Sequence, residues 1–457
     1  MRIIINFKEN KMSNIVDVMN DLKNLTFKEK MFSECEALAF AQMAYLPFEK
    51  LNLEGGEITL GEALNSILTM KEPSHSVLLF TRLQDIRMMN DIKDSIRYSN
   101  IKVRAVTCKD NEEEPCQFCA ILFALDDGIK LVAYRGTIAT VWAWNESINM
   151  AASKAVPSQT ESLEFLQHAM DKYPGSFILT GHSKGGNLAI YSAVMAPPQY
   201  QDRILKVYNF DGPGFNDFQD INFRKEKIKD RIETFIPQSS VVGILLNHEE
   251  KIQVVKSSAA SLFQHDPYTI QTENDHFVTL PGLSDIGKIN ELTMRDFLGV
   301  LSQSQVEEFI STVFTIFGEI GANAGLIKAA TEFISALINL KGQDKKNIDK
   351  VFEIYRQAQK KAEAKIREEK REEKREEFSR QTGAILKDVE KAISDVRNFI
   401  LPGKEDDKNR DVDESGYDGK SEVQNKSITG ELPGNKTVNN TENATVTSEN
   451  TAENPVE

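Results

Sequence analysis

The chain has 457 residues, enough for two or three domains at roughly 100–200 residues each. With 40% hydrophobic residues and 25 Phe it can bury a sizeable core, which excludes wholesale disorder. The formal charge of −14 excludes a nucleic-acid-binding surface spread over the whole molecule, and it is unevenly placed: residues 403–457 hold 13 Asp/Glu against 6 Lys/Arg.

The N-terminal run Met1-Arg2-Ile3-Ile4-Ile5-Asn6-Phe7-Lys8 is too short for a signal sequence and lacks a small-residue cleavage site, and Met12 reads as an alternative start. The most apolar later stretch, Phe309 to Leu340, is interrupted by Glu319, Lys328 and Glu332, so no transmembrane segment is expected. A soluble cytoplasmic protein is the expectation. From Asp17 to Arg97 apolar residues recur at helical spacing, as at Leu60, Leu64, Ile67 and Leu68. Val103 to Val106, Phe118 to Leu125 and Ile129 to Tyr134 read as strands, the last two joined by Asp126-Asp127-Gly128.

Strands and helices then alternate. A helix is predicted from Gln159 to Tyr173, ended by Pro174-Gly175, and another from Gly185. Phe177 to Leu179, Ile204 to Phe210, Ile232 to Ile236 and Ile252 to Val255 are the intervening strands. This alternation predicts a parallel or mixed sheet covered by helices on both faces.

From Leu292 the pattern is helical again, with a capping box at Ser304-Gln305-Val306-Glu307. Lys365 to Glu377 reads KIREEKREEKREE, a solvated helix that cannot bury a face. Ile385, Val389, Ala392, Ile393 and Val396 form an apolar stripe on a short helix ended by Pro402. Beyond it Asn, Thr, Glu, Gly and Asp dominate, which predicts disorder. The expected divisions are an α/β domain over 15–300, a helical extension with the charged helix over 301–402 and a disordered acidic tail over 403–457.

Four cysteines do not make a disulfide framework. Cys116-Gln-Phe-Cys119 lacks a second ligand pair at zinc spacing and runs straight into a strand. It reads as two half-buried strand cysteines, and no metal is assigned.

The chemistry concentrates at Phe177-Ile178-Leu179-Thr180-Gly181-His182-Ser183-Lys184-Gly185-Gly186, a strand, then G-x-S-x-G, then a helix start. A nucleophilic serine must protrude from a tight turn at a strand end, with small residues two before and two after so that strand and helix pass closely. The helix N-terminus behind it offers free N–H groups to a developing oxyanion. A Gly-rich loop with a solvent serine is the bland reading. A second strand running into a Gly turn, Tyr134-Arg135-Gly136-Thr137, puts Thr137 where a second oxyanion donor is needed.

Together with Trp144-Asn145-Glu146-Ser147, these two pieces resemble the class 3 lipase-like α/β hydrolases, over roughly residues 15–300. Lys184 in the elbow, Gln159, Asn209-Phe210-Asp211-Gly212-Pro213-Gly214 and Gln264-His265-Asp266-Pro267 are most similar to a bacterial branch of that superfamily. The resemblance implies an α/β-hydrolase fold and a serine acyl-hydrolase mechanism without metal or organic cofactor; it implies no substrate.

The chain order in this fold is Ser, acid, His, so the base comes from His248, His265 or His276. His265, after the last clear strand and before Tyr268, matches the base position of lipase-like enzymes; the other two read as solvated turns. The family pattern puts an Asp after the strand matched by Ile232 to Ile236, where this chain has Pro237-Gln238-Ser239-Ser240. Asp211, after the preceding strand, admits two roles: the triad acid, or a cap on the Gly212-Pro213-Gly214 turn.

The expected function is hydrolysis of a lipid or small-molecule acyl ester. Ser183 attacks, His265 carries the proton, Asp211 is the acid, and Thr137 with the backbone N–H of Lys184 holds the oxyanion. The competing expectation is a hydrolase-fold binding or scaffolding protein that recruits a protein partner through the C-terminal helix.

Overall fold

The computed structural model describes residues 13–300, apart from 52, 54–55, 77–78, 112–115, 126–127, 139–145, 147–148, 151–152, 217–220 and 222–224, and residues 342–400. The chain divides into two compact units, Met1–Thr382 and Gly383–Glu457.

The first unit opens with helices α1 (Ile15–Leu22), α2 (Glu34–Met43), α3 (Leu60–Leu68) and α4 (Leu79–Ile92). Sequence sets where three of them start. Asn14 with Asp17, Ser33 with Glu36 and Thr59 with Glu62 form capping boxes, each pair satisfying two backbone N–H groups left without helical partners. Helix α2 is buried all round, so it lies inside the molecule rather than on its surface.

The sheet contains β1 (Ile58–Thr59), β2 (Lys102–Asn111), β3 (Cys116–Ala124), β4 (Ile129–Tyr134), β5 (Ser176–His182), β6 (Ile204–Phe210), β7 (Ile232–Pro237), β8 (Ile252–Val255) and β11 (Thr279–Leu280), in that spatial order. A hairpin of β9 (Thr272–Glu273) and β10 (His276–Phe277) lies apart from it. Strands β4 to β8 are parallel; β1 to β4 pair antiparallel, and β11 is antiparallel to β8. This is an α/β fold built on a mixed sheet.

Alternation along the strands builds a core on each face. Ile121, Phe123, Leu131, Ala133 and Ile178 face the N-terminal helices. Phe118, Ala120, Leu122, Val132, Phe177 and Leu179 pack with α5 (Pro157–Lys172) and α6 (Lys184–Met195). Both faces are covered, as the alternating pattern predicted.

One buried polar network ties the helical face to the loop after β8. The Asp85 carboxylate on α4 accepts hydrogen bonds from Ser74 Oγ (2.6 Å), Ser76 Oγ (2.7 Å), Gln42 Nε2 (2.9 Å) and Tyr268 Oη (2.6 Å). Burial raises this carboxyl above the usual carboxylate range, against the pull of the four donors. Asp85→Ala strands those donors, so chemical denaturation should show a loss of about 3 kcal/mol or more. A change below about 0.5 kcal/mol would mean that the donors find other partners.

Helix α7 (Asp285–Val300) and the first part of the 59-residue α8 (Gly342–Ile400) meet at Phe297, Val351 and Tyr355. The sequence predicted a separate short helix for the apolar stripe; the helix is instead continuous with the charged run. Lys365–Glu377 is exposed apart from Ile366, in keeping with the KREE repeat. In the second unit Ile385, Leu386, Val389 and Ile393 are exposed. The Ser304–Glu307 capping box and the acidic tail after Pro402 lie outside the described residues. Among the described residues, no helix is long and apolar enough to cross a membrane.

Candidate active site

The carboxyl ends of neighbouring parallel strands converge on one edge of the sheet, where ligands bind in open α/β sheets. Strand β4 ends at Tyr134, β5 at His182 and β6 at Phe210. The next residues are Arg135-Gly136-Thr137, Ser183 and Asp211.

Ser183 has φ 58° and ψ −134°, a conformation that costs a non-glycine residue roughly 1–3 kcal/mol. Its N–H donates to Phe210 O at 2.9 Å, which locks the turn to β6. The flanking glycines are needed for close approach. A Cβ on Gly181 would lie 2.1 Å from the Gly185 backbone, and one on Gly185 would lie 2.1 Å from Tyr134 O. Helix α6 therefore starts pressed against β5 and β4, and Ser183 is left partly exposed at its head.

Asp211 also has positive φ, 49°. Its Oδ2 lies 2.6 Å from His265 Nδ1. Its Oδ1 accepts from Ser240 Oγ at 2.5 Å and from Gly243 N–H at 3.1 Å. The Gly212 turn is held by a different residue, Asn209, whose Oδ1 accepts from Gly212 N–H at 3.0 Å. Ser240 lies just after β7 and supports the carboxylate that follows β6.

His265 sits in a short 3₁₀ segment, Ser261–His265. A carboxylate only accepts, so the hydrogen of this bond comes from Nδ1, and Nε2 is left for a second partner. Its ring lies 4.6 Å, centroid to centroid, from that of His182, next to Ser183. His182 Nε2–H donates to His265 O at 2.9 Å. Burial, followed by the neighbouring His265, holds the His182 pKa well below the usual range, so His182 is neutral near pH 7. Behind the pair, Phe210, Phe235, Phe277 and Ile270 help line a cavity of about 20 Å³, room for one water at most. The Asp211–His265 bond is thus backed by apolar side chains.

The second strand turn borders the serine directly. A Cβ on Gly136 would meet Ser183 Cβ at 3.2 Å, His182 O at 2.6 Å and Tyr45 Oη at 2.1 Å. Thr137 follows, half-buried. Tyr45 enters from beyond the end of α2, with its phenol pKa pushed up by burial. Its spacing in the sequence marks only a helix face, so nothing local signals its place beside Gly136. Lys184 is 2% exposed, its backbone at the head of α6 and its ammonium paired with Glu146. Trp144, Asn145 and Ser147 of the third motif lie outside the described residues.

The other two histidines sit elsewhere. His248 was expected to be solvated, but its side chain is 5% exposed and pairs with Glu250 at 2.8 Å. His276 is exposed and pairs with Glu34. The cysteines also depart from expectation. Cys116 and Cys119 are both buried rather than half-buried, and Cys119 is disulfide-bonded to Cys108, its cross-strand partner on β2. Glu49, Cys108 and Cys119 are close enough to share a metal ion, but the disulfide occupies both sulfurs.

Residues 92–315 match the family described as Mbeg1-like. No curated protein matches the chain. Among solved structures it is similar to M37 lipase (16% identity, 47% of this chain and 70% of that one, TM-score 0.32). It is also similar to the Rhizomucor miehei lipase propeptide complex (12%, 56% and 76%, 0.30) and to a fungal lipase–inhibitor complex (14%, 52% and 96%, 0.29).

Proposed function

We propose that this chain is a serine-dependent hydrolase of acyl esters, with the domain over residues 15–300 carrying the chemistry. One observation carries the proposal: an imidazole hydrogen-bonded to a carboxylate stands at the strand edge where a serine is held at positive φ on the head of a helix. Ser183 Oγ attacks the ester carbonyl while His265 Nε2 accepts its proton. The C–O bond to the alcohol breaks, His265 returns the proton to the leaving oxygen, and a water repeats the sequence to release the acid. Asp211 holds the tautomer and stabilises the imidazolium. The oxyanion is received by the N–H of Lys184 and by Thr137.

A set of p-nitrophenyl esters of increasing acyl length tests this. Hydrolysis above background, lost in Ser183→Ala, is the expected result; an optimum at long chains would favour a lipid substrate. Equal rates for wild type and variant would sink the proposal.

The second reading, a binding or scaffolding protein, is favoured by the exposed stripe of Ile385, Leu386, Val389 and Ile393, a surface suited to a protein partner. The lack of a carboxylate after β7 does not favour it, because Asp211 reaches the imidazole from the end of β6.

A cytoplasmic location is proposed as well, and the disulfide pulls against it, since reducing compartments keep thiols free. Thiol titration of the denatured chain decides. Two free thiols, those of Cys35 and Cys116, mean that the bond persists, and four mean that it does not.

A further inference from the structure

The Lys184 side chain is not used by the mechanism above, yet it is among the largest fully buried side chains of the chain. Its Nζ donates to Glu146 Oε2 at 2.8 Å and to Gln117 O at 2.6 Å. Glu146, 1% exposed, accepts in turn from Gln117 N–H at 2.9 Å and, through Oε1, from Ser158 N–H at 2.7 Å. Gln117 is therefore gripped at both backbone groups. Its side-chain Oε1 lies 3.4 Å from the N–H of Ile138, the residue after Thr137. Two residues along β3, Cys119 O accepts from Arg135 N–H at 2.9 Å.

These contacts make an unbroken path from the residue after the serine, through β3, to the turn opposite it. A buried ion pair is rarely the most stable filling for its space, since hydrophobic residues of similar volume do as well or better. What it supplies here is direction: an ammonium that reaches one carboxylate and one carbonyl fixes the elbow against β3. Within the hydrolase reading, on which this rests, we infer that Lys184, Glu146 and Gln117 are positioning residues. They set the distance between the Lys184 N–H and the Thr137 turn, and so the size of the oxyanion site.

The test compares Lys184→Met, Glu146→Gln and the double variant, each measured for thermal midpoint and for fluorophosphonate labelling resolved into KI and maximal rate. Each single variant leaves a buried group without its partner and should lower the midpoint. The double variant removes both charges and should recover most of the midpoint. Its maximal labelling rate should stay down by roughly 10- to 100-fold, because small misplacements of reacting groups cost up to about 10², while KI stays near normal. A double variant that regains both midpoint and rate would show that the pair only stabilises the fold. Hydrogen exchange over residues 135–138 provides a readout independent of catalysis. It should quicken in the double variant, and unchanged exchange would overturn the brace even if the wild-type serine were never labelled. A wild-type chain that resists labelling while exchange quickens would instead refute the hydrolase reading and leave the brace standing as a structural link.

Discussion

Ser183→Ala should abolish ester turnover while leaving the thermal midpoint nearly unchanged. The nucleophile carries the whole covalent step, and losing such a group in a serine hydrolase removes about 10⁶ in kcat. The same position predicts a second, opposite effect. Ser183 is held at φ 58° and ψ −134°, where only glycine is at ease. Ser183→Gly should therefore be inactive and more stable than wild type by about 1 kcal/mol. That combination is the mark of a residue kept for chemistry at the expense of stability. A Ser183→Gly chain less stable than wild type would mean that the turn is not strained.

Asp211→Asn should lower kcat by up to about 10⁴ with little change in stability. Asparagine tolerates the positive φ of this position and can keep a hydrogen bond to Ser240, so the backbone has no reason to move. What changes is the partner of His265 Nδ1. An amide fixes the imidazole tautomer less well and gives the imidazolium no counter-charge. His265→Ala should lose nearly as much activity as Ser183→Ala, because groups that act as a unit are not additive. If Asp211→Asn and His265→Ala both keep near-normal turnover, the triad proposed here is wrong.

Much of this fold is legible in the sequence because its strands are buried on both faces and punctuated by turns. Ile204–Phe210 and Ile252–Val255 appear at the predicted bounds. The elbow is legible for a related reason: Gly181 and Gly185 stand where a Cβ would strike backbone, so close approach leaves a local trace. Strand β2 runs to Asn111, well past Val106, because pairing with Cys116–Ala124 extends it, and pairing is not a local property. The two-residue strands β1, β9, β10 and β11 are too short to show a period.

At the site, what the sequence hides is what arrives from far along the chain. Tyr45 reads as one position on a helix face, and Glu146 as one letter of a motif. Their places beside Gly136 and Lys184 depend on how the helical layer and β3 pack. Asp211 is the sharpest case. Its two readings could not be separated from the residues alone, because a carboxylate before Gly-Pro-Gly suits a turn as well as a triad. The distinction rests on Asn209, which caps the turn and leaves Asp211 for His265.

Labelling the intact chain with a fluorophosphonate, followed by peptide mass mapping, asks whether Ser183 is an activated nucleophile. One adduct is expected, on Ser183, absent from His265→Ala and slowed in Asp211→Asn. No adduct, or one that forms equally well without His265, would contradict it.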